Sequence, residues 1–324
     1  MRRQLVHHAR RAGRGRRGSI YAVVLAMAIL VSLIGLSAVA VGRINLRAAA
    51  GIGDAAAADL LALSAVEHAV AVVNTEAGWR GNSAYAGGRY TAPVALGAGS
   101  FAWKLVDEID ADVRQSVGGI QPVRAVGVGR AGEARRVYSV QLVPTGTNLL
   151  VNPGMESGTD PFQPENGNCV LQTVTASPRG GSRSLSVTGR LDKLAGPRQE
   201  VTGKLSSGKS YFLDAWVRMS AAPEVPRIAL VVSGNGGLLG LGAWTETYRA
   251  APATAVGLEW TRVSVAVNTN WEGGTVDKAF WKVETSGTNQ DFWVDDVKLV
   301  ESTTSLTPMP MAPARETWRQ EEAE

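Results

Sequence analysis

The chain has few of the side chains on which enzymes most often rely. Cys169 is its single cysteine, and His7, His8 and His68 are its three histidines. One cysteine permits no intramolecular disulfide and no cysteine metal cluster, and His7 and His8 lie in a basic stretch at the N-terminus. This composition argues against zinc chemistry and against histidine-based acid–base catalysis.

Aromatic side chains outside the predicted strands are better placed for noncovalent recognition. Trp244, Tyr248 and Trp271 lie in or beside segments whose composition indicates loops. Flat apolar faces of this kind stack on the C–H face of a pyranose ring, and neighbouring polar groups bind its hydroxyls. These three residues are candidates for stacking against the apolar face of a ligand.

Two charged residues complete the candidate set. Lys282 and Glu284 alternate with Trp281 and Val283, and successive side chains of a strand point to opposite faces. A strand here therefore places the ammonium and the carboxylate together on the face opposite the apolar pair. Both groups are candidates for hydrogen bonds to the polar groups of a ligand.

The elements that carry these residues begin with a membrane segment. Residues 19–41 contain no charge, and a helix of these 23 residues is about 34 Å long, enough to cross a hydrocarbon core of about 30 Å. A secretory signal peptide is the rival interpretation, but its apolar core usually has only about 7 to 15 residues. Seven arginines precede the segment and favour a cytoplasmic N-terminus: Arg2, Arg3, Arg10, Arg11, Arg14, Arg16 and Arg17.

The same arginines account for the basic balance of the chain. The net charge is +4, of which the first 18 residues contribute +7, so the remainder carries −3. The field that would attract phosphate therefore lies beside the bilayer, and we expect no nucleic-acid partner. This part divides into a basic cytoplasmic leader (1–18), a transmembrane helix (19–41) and an amphipathic helical stalk (42–78).

The stalk is predicted from helix-forming composition and from apolar spacing. No proline occurs between residues 43 and 76, and Gly78 is the expected C-terminal cap. Apolar residues recur every three or four positions, on one helical face: Leu60, Leu63, Val66, Val70 and Val73. The pattern predicts one continuous helix over residues 19–76.

This N-terminal part resembles type IV pilin-like proteins of the minor-pilin or pseudopilin group. The matching segments are RRGSIYAVVLAMAILVSLIGLSAVAVGRINLRAAA and ALSAVEHAVAVVN. The resemblance implies leader processing between Gly18 and Ser19 and assembly with other pilin-like subunits. The glutamate that the family usually has at its fifth mature position is Val23 here. A single-pass anchor with a helical stalk is the alternative.

Residues 79–147 are predicted to form a small antiparallel sheet that covers the apolar face of the helix. Strand-like alternation begins at Phe101 and returns in residues 122–128 and 136–143, with a turn near Gly132. A sheet laid on the long helix is also what a pilin-like fold would require.

Residues 148–301 are predicted to form a β-sandwich, because many short alternating segments separated by turn residues are typical of that architecture. Six such segments recur: Ser184–Val187, Tyr211–Met219, Arg227–Val232, Trp260–Val267, Ala279–Glu284 and Phe292–Val300.

This region resembles the carbohydrate-binding modules of families 4, 9 and 22, which have a galactose-binding-like jelly roll. The motifs are NLLVNPGMESG at 148–158, GRLDKLAGPRQEVTGKLSSGKSYFLDAWVRM at 189–219, LEWTRVSVAV at 258–267 and DFWVDDVKLVE at 291–301. The expected fold class is a mainly β, C-terminal jelly-roll sandwich plus a long N-terminal transmembrane α-helix with a small pilin-like antiparallel sheet.

The resemblance implies a structural Ca²⁺ held by Glu156 of the opening motif and Asp296 of the closing motif. Carboxylate and backbone carbonyl oxygens suit that ion. The alternative is that Asp295 and Asp296 only cap and solubilise an edge strand.

The resemblance also implies core positions for Trp216, Trp260 and Trp293, and it places Glu284 where xylan-binding relatives use an acidic residue. In such a module, the predicted carbohydrate-binding residues are the following: Trp244, Tyr248, Trp271, Lys282 and Glu284. Those relatives commonly carry an aromatic residue at the position of Leu194. That difference argues against tight binding of xylan-like chains, because the stacking face is missing.

Residues 302–324 contain three prolines and an acidic end, and we expect a disordered tail. Beyond anchor, stalk and module, about 70 residues remain, too few for a glycosidase domain with two opposed carboxylates, so we expect no enzyme. The predicted protein is a bacterial inner-membrane, pilin-like protein whose external module binds a polysaccharide or cell-wall glycan. The alternative is a structural envelope subunit whose jelly roll contacts proteins and binds no sugar.

Overall fold

The computed structural model describes residues 16–76, 78–107, 112–114, 120–236, 242–252, 254–271, 273–302, 310–314 and 317–321. The chain divides into two compact units, residues 1–56 and 57–324. The first 15 residues of the predicted leader lie outside the described part.

The described residues contain one long helix, α1 (Arg16–Thr75), and short 3₁₀ turns at Trp79–Gly81, Ala86–Gly88 and Glu165–Gly167. Their sixteen strands are β1 (Val94–Leu96), β2 (Gly99–Val106), β3 (Val123–Ala131), β4 (Ala134–Pro144), β5 (Gln163–Pro164), β6 (Val170–Val174), β7 (Ser184–Thr188), β8 (Pro197–Glu200), β9 (Ser210–Met219), β10 (Pro226–Asn235), β11 (Ala243–Ala250), β12 (Thr261–Asn268), β13 (Thr275–Thr285), β14 (Phe292–Glu301), β15 (Met311–Pro313) and β16 (Arg319–Glu321).

Helix α1 confirms the long helix that the sequence predicts. Gly18 and Ser19 lie in its first turn. Farther along, apolar side chains stand exposed, with Leu36 68% and Ile34 64% accessible. The helix contains a segment long and apolar enough to cross a membrane, and a signal sequence near the N-terminus would have the same character. The chain therefore has an N-terminal helix that fits either role.

From Ala57 onward, α1 packs against an antiparallel sheet, which we call sheet 1. Its strand order is β1-β2-β3-β4-β15, and β16 also pairs with β4. Phe101, Trp103 and Leu105 of β2 point toward the helix and form one core with Val66 and Val73. The predicted hairpin is confirmed, with β3 and β4 in register from Val123 opposite Leu142 to Ala131 opposite Ala134.

Glycines let the helix backbone lie directly on β3. A Cβ atom on Gly127 would come within 2.5 Å of the Ala62 carbonyl oxygen and 2.8 Å of the Ala65 Cβ. A Cβ atom on Gly129 would overlap the Ala58 carbonyl oxygen. Two glycines one strand repeat apart therefore form a shallow groove that accepts the helix.

The buried face of the helix differs from the predicted one. Leu60 is 68% exposed and Leu63 36% exposed, so the predicted stripe is wrong at both positions. The buried residues are mostly small: Ala58, Leu61, Ala62, Ala65, Val66, Ala69 and Val73. The glycines of β3 explain why the buried face differs from the predicted one. Alanines on the helix allow the close approach to β3 that leucines on that face would prevent.

The tail is ordered where the structure describes it, so the prediction of a disordered tail is wrong for those residues. β15 and β16 pair with the outer edge of β4. Met311 is buried, and its backbone N–H donates to Asn74 Oδ1 at 2.7 Å. The long edge of β4 would otherwise leave its backbone groups unpaired, which explains why the segment folds there.

Residues 148–301 form the predicted sandwich. Sheet 2 has the order β11-β10-β13-β8-β5, and sheet 3 has the order β12-β9-β14-β7-β6. A core that includes Leu213, Leu230, Trp281, Val283 and Leu299 lies between them. All six predicted strands are present, and four further strands, β5, β6, β8 and β11, were not predicted. The structure thus confirms a mainly β jelly-roll sandwich and a long apolar N-terminal helix.

The prediction that Trp216, Trp260 and Trp293 are core residues is wrong. All three are half-buried on the outer face of sheet 3. Strand alternation explains the correction, because the inward positions beside them belong to Val217 and Val294, which are fully buried.

One end of the outer face of sheet 3 packs against residues that precede and follow the sandwich. This contact buries a small apolar cluster: Ile120, Val143, Phe212, Ala266, Val300 and Ala314. The sandwich is thus in direct contact with sheet 1 and its neighbouring segments.

We predict that Gly129→Ala lowers the free energy of unfolding of residues 57–324 by about 3 kcal/mol, because the new methyl group overlaps the helix backbone. Denaturant unfolding of the full chain in detergent, followed by tryptophan fluorescence, measures the change. Gly81→Ala is the control, since a Cβ atom there meets nothing within 4 Å. Equal stability of the two variants would contradict the packing.

Candidate functional site

A row of charged side chains crosses the outer face of sheet 2. Arg249 Nε lies 2.7 Å from Glu284 Oε1, and Glu284 Oε2 lies 2.8 Å from Lys282 Nζ. Lys282 Nζ is 4.0 Å from Glu165 Oε1, and Glu165 Oε2 is 3.1 Å from an Arg198 terminal nitrogen. The charges alternate in sign along this line, which we call the ion-pair row.

The register of sheet 2 brings these residues together. Ala229 of β10 is paired with Arg249 of β11 on one side and with Lys282 of β13 on the other. Its short side chain leaves room for the guanidinium of Arg249 to reach Glu284. Lys282 in turn is paired with Arg198 of β8.

The centre of the ion-pair row is closed to solvent although it lies on the outer face. The side chain of Glu284 is 0% exposed and that of Lys282 is 5% exposed. Burying either charge without a partner would cost several kcal/mol. Each has two oppositely charged neighbours in the ion-pair row, which offsets that cost and fixes both side chains in place.

Arg198 ends the ion-pair row beside an aromatic ring. Its guanidinium carbon lies 4.4 Å from the ring centroid of Phe280, which is half-buried on the same face. Arg198 Nε is buried and has no hydrogen-bond partner among the residues that the structure describes. The face therefore presents one apolar ring among fixed donors and acceptors.

The three candidate aromatic residues form a separate group. The rings of Trp244 and Trp271 are stacked, with centroids 6.4 Å apart and an interplanar angle of 21°. The backbone N–H of Asn270 donates to the Tyr248 hydroxyl at 3.1 Å. Tyr248 is paired with Leu230 of the core, so it lies on the core side of its strand.

The five predicted sugar-binding residues therefore do not form one site. Lys282 and Glu284 lie on the outer face of sheet 2, whereas Trp244, Tyr248 and Trp271 pack against the sandwich core. The segment at 243–250 is strand β11 and not the predicted loop, which explains why its aromatic side chains alternate into the core.

Sequence reasoning missed four residues of the charged face. Phe280 continues the alternation of Lys282 and Glu284, so the same pattern could have found it. Arg249, Arg198 and Glu165 belong to or follow β11, β8 and β5, which the sequence did not reveal as strands.

The predicted calcium ligands lie on either side of one glycine-rich loop. Glu156 accepts hydrogen bonds from the Ser182 hydroxyl at 2.5 Å, the Ser182 N–H at 2.8 Å and the Arg183 N–H at 3.1 Å. The Ser182 hydroxyl and backbone N–H, the largest contributions, hold the pKa of the Glu156 carboxyl below its usual range. Glu156 is therefore ionised at neutral pH.

Asp296 faces the same loop. A Cβ atom on Gly180 would lie 2.8 Å from Asp296 Oδ2, and one on Gly154 would lie 3.6 Å from Asp296 Oδ1 and 3.9 Å from Glu156 Cγ. Both carboxylates thus lie directly against the glycines of this loop, which leave no room for larger side chains. Among the described residues, no group of three or more histidine, cysteine, aspartate or glutamate side chains is arranged to hold a metal.

Asp295, the neighbour of Asp296, fixes this loop. Its Oδ2 accepts hydrogen bonds from the N–H groups of Arg179 at 2.9 Å and Gly180 at 3.2 Å. Burial raises the pKa of the Asp295 carboxyl to about 6. Asp295 therefore fixes the backbone of the loop, while Asp296 and Glu156 face its glycines.

Part of the chain matches a family of known proteins. Residues 147–288, somewhat less than half of the chain, match the family model described as a carbohydrate binding domain, CBM_4_9. The match covers most of the jelly roll, so this part of the chain resembles a carbohydrate-binding module in sequence as well as in fold.

Two curated relatives are both named endo-1,4-beta-xylanase A. The protein from Thermotoga maritima is 24% identical over 172 residues, which cover 53% of this chain and 16% of the relative. The protein from Thermoanaerobacterium saccharolyticum is 28% identical over 158 residues, or 47% of this chain and 13% of the relative. The chain thus matches only a small part of each xylanase.

Among solved structures, a similar one is the CBM22-2 xylan-binding domain from Paenibacillus barcinonensis Xyn10C. It is 19% identical, with a TM-score of 0.38, and the alignment covers 46% of this chain and 98% of that domain.

Proposed function

We propose that the jelly roll is a noncatalytic module that binds polysaccharide along the outer face of sheet 2. The ion-pair row is the observation that carries this proposal. It runs from β11 across β10, β13 and β8 to the turn that follows β5, and four spacings of about 4.8 Å give about 19 Å, a length suited to an extended chain of sugars.

The chemistry of the face fits sugar hydroxyls. Guanidinium groups donate in a plane, and carboxylates accept in a plane. Because its ion pair with the buried Glu284 already fixes Arg249, which is 39% exposed, little side-chain entropy is lost when a ligand binds to its guanidinium. The half-buried ring of Phe280 adds one apolar contact.

A β-1,4-linked xylan is the first ligand to test, because the curated relatives named above are xylanases. Leu194, which is 38% exposed, offers no ring for stacking. We therefore expect binding that depends on the polar groups of the face more than on aromatic stacking.

The same contacts argue against hydrolysis. A glycosidase needs one carboxyl that can give a proton and a second that faces the sugar. Glu284 lies between two cations, Arg249 and Lys282, and Glu165 lies between Lys282 and Arg198. Both carboxylates are thus neutralised by ion pairs.

We predict that the full chain in detergent is retarded by soluble xylan in affinity electrophoresis, and that Arg249→Gln weakens this retardation at least fivefold. The matched control is Arg130→Gln on sheet 1, which removes one exposed arginine elsewhere and should have no effect. Absence of retardation by xylan and by other neutral polysaccharides would contradict the proposal. If Trp271→Ala abolished retardation and Arg249→Gln did not, the binding site would lie at Trp271 and its aromatic neighbours and not at the ion-pair row.

We further propose a structural Ca²⁺ held by Glu156 and Asp296 with backbone carbonyl oxygens. The position of both carboxylates against one glycine-rich loop and the ionised carboxylate of Glu156 support this proposal. When bound, the ion would supply positive charge between the turn that precedes β5 and strand β14.

Added Ca²⁺ is expected to raise the free energy of unfolding of the sandwich, by about 2.7 kcal/mol at a hundred times its dissociation constant. Thermal unfolding in calcium and in chelator measures the effect. Glu156→Gln and Asp296→Asn should abolish it, whereas Glu259→Gln, at an exposed position, should keep it. A wild-type protein indifferent to calcium would rule the ion out.

We also propose that α1 anchors the protein in the cytoplasmic membrane with the module outside, and that the N-terminal part is pilin-like. The arginines before the apolar segment support this orientation. The glycine-lined packing of α1 on sheet 1 supports the pilin-like assignment. The alternative is a structural subunit whose jelly roll contacts proteins and binds no sugar. The sandwich already makes one such contact, because Phe212 and Val300 pack against other parts of the same chain.

Mass spectrometry of the membrane-extracted protein tests the pilin-like part. A mature N-terminus at Ser19 is expected, and an intact leader would contradict processing at Gly18.

A further inference from the structure

The outer face of sheet 3 carries a second group of recognition side chains, far from the ion-pair row. Trp293 of β14 is paired with Arg218 of β9. Trp260 immediately precedes β12, whose Thr261 is paired with Val217. Arg218 therefore lies between two indole rings on one face, and its guanidinium carbon is 4.5 Å from the Trp293 centroid and 5.2 Å from the Trp260 centroid.

Among the residues that the structure describes, the guanidinium of Arg218 has no anionic partner. It makes no hydrogen bond or ion pair with any residue in the described part of the chain. Its Nε is buried, so only the terminal nitrogens are left for a ligand. By contrast, Arg262 on the same face is held by Asp214 through bonds of 2.6 to 3.1 Å.

A second aromatic and arginine pair extends the surface. The guanidinium carbon of Arg179 lies 3.9 Å from the ring centroid of Trp216. The indole N–H of Trp260 donates to the Ser177 carbonyl oxygen at 3.0 Å, which ties the loop of Arg179 to this face. All three tryptophans are half-buried, so part of each ring remains open to solvent.

We propose that Trp260, Arg218, Trp293, Trp216 and Arg179 form a second binding surface, for polysaccharides that carry uronic acid groups. The inference rests on the proposed carbohydrate-binding function and assigns to it a separate site and a ligand class. Indole rings stack on the sugar rings, and the terminal nitrogens of Arg218 bind the uronate carboxylate.

The two surfaces lie on opposite sheets of one sandwich. A chain bound on sheet 2 therefore does not block the surface on sheet 3, and two polymer strands or two segments of one strand can bind at once. Binding at both raises the apparent affinity for a mixed polysaccharide above that of either surface alone.

Titration of the full chain in detergent with polygalacturonate, at low salt and with neutral xylan in parallel, tests the proposal. Polygalacturonate is expected to bind, and Arg218→Gln is expected to weaken this binding at least tenfold. Arg218→Lys, which keeps the charge but loses the planar fork, should weaken it less. Trp293→Ala should also weaken it, with circular dichroism to establish that the variant is folded.

Two controls separate this surface from general charge attraction and from the other face. Arg130→Gln should change polygalacturonate binding less than twofold, and Arg249→Gln should change xylan binding only. Equal losses in Arg218→Gln and Arg130→Gln, or no binding of polygalacturonate by the wild type, would overturn the proposal. Failure of xylan binding alone would overturn only the site on sheet 2.

Discussion

The buried pair of Lys282 and Glu284 sets the main constraint on the sandwich. Two charges with almost no solvent contact occupy the outer face of a sheet, where they are stable only while Arg249 and Glu165 stay in place. Four separate strands and one turn must therefore keep their register for the face to exist. The same requirement makes the face rigid, which suits binding without rearrangement.

The two faces of sheet 2 differ in the chemistry of their side chains. The inner face, with Leu230, Trp281 and Val283, supplies the apolar core that holds the sandwich together. At the centre of the outer face, paired charges take the place of apolar side chains. The inner face thus stabilises the sandwich, and the outer face holds the proposed binding site.

Sheet 1 depends on a different kind of contact, in which backbone approaches backbone. Gly127 and Gly129 admit the alanine face of α1, so the helix and β3 are closer than larger side chains would permit. Strand β15, which contains Met311, pairs with the edge of β4. The Asn74 side chain near the end of the helix donates a hydrogen bond to the Met311 carbonyl oxygen. Sheet 1 is thus built from segments separated by more than 200 positions.

The sequence predicted the long helix, the hairpin of β3 and β4 and six sandwich strands, because each has strong local periodicity. It placed Leu60 on the buried face of α1, because periodicity alone does not show that β3 presents glycines. It treated 243–250 as a loop, because glycines and polar residues surround Trp244 and Tyr248. An edge strand with half-exposed residues has only weak alternation, and its orientation is decided by pairing with β10.

The candidate site was predicted only in part for the same reason. Lys282 and Glu284 lie on one strand, so alternation was enough to place them together. Their partners Arg249, Arg198 and Glu165 come from distant strands, and only the pairing of sheet 2 brings them near. The inward turn of Trp244 and the outward position of Trp293 likewise follow from register and not from composition.

The most direct measurement is nuclear magnetic resonance of the full chain in detergent with selectively labelled arginine, titrated with a xylan oligosaccharide. The account predicts that the side-chain N–H signals of Arg249 and Arg198 shift in proportion to occupancy, while that of Arg218 stays unchanged. Saturable binding that leaves the signals of Arg249 and Arg198 in place would contradict a polysaccharide site on the outer face of sheet 2.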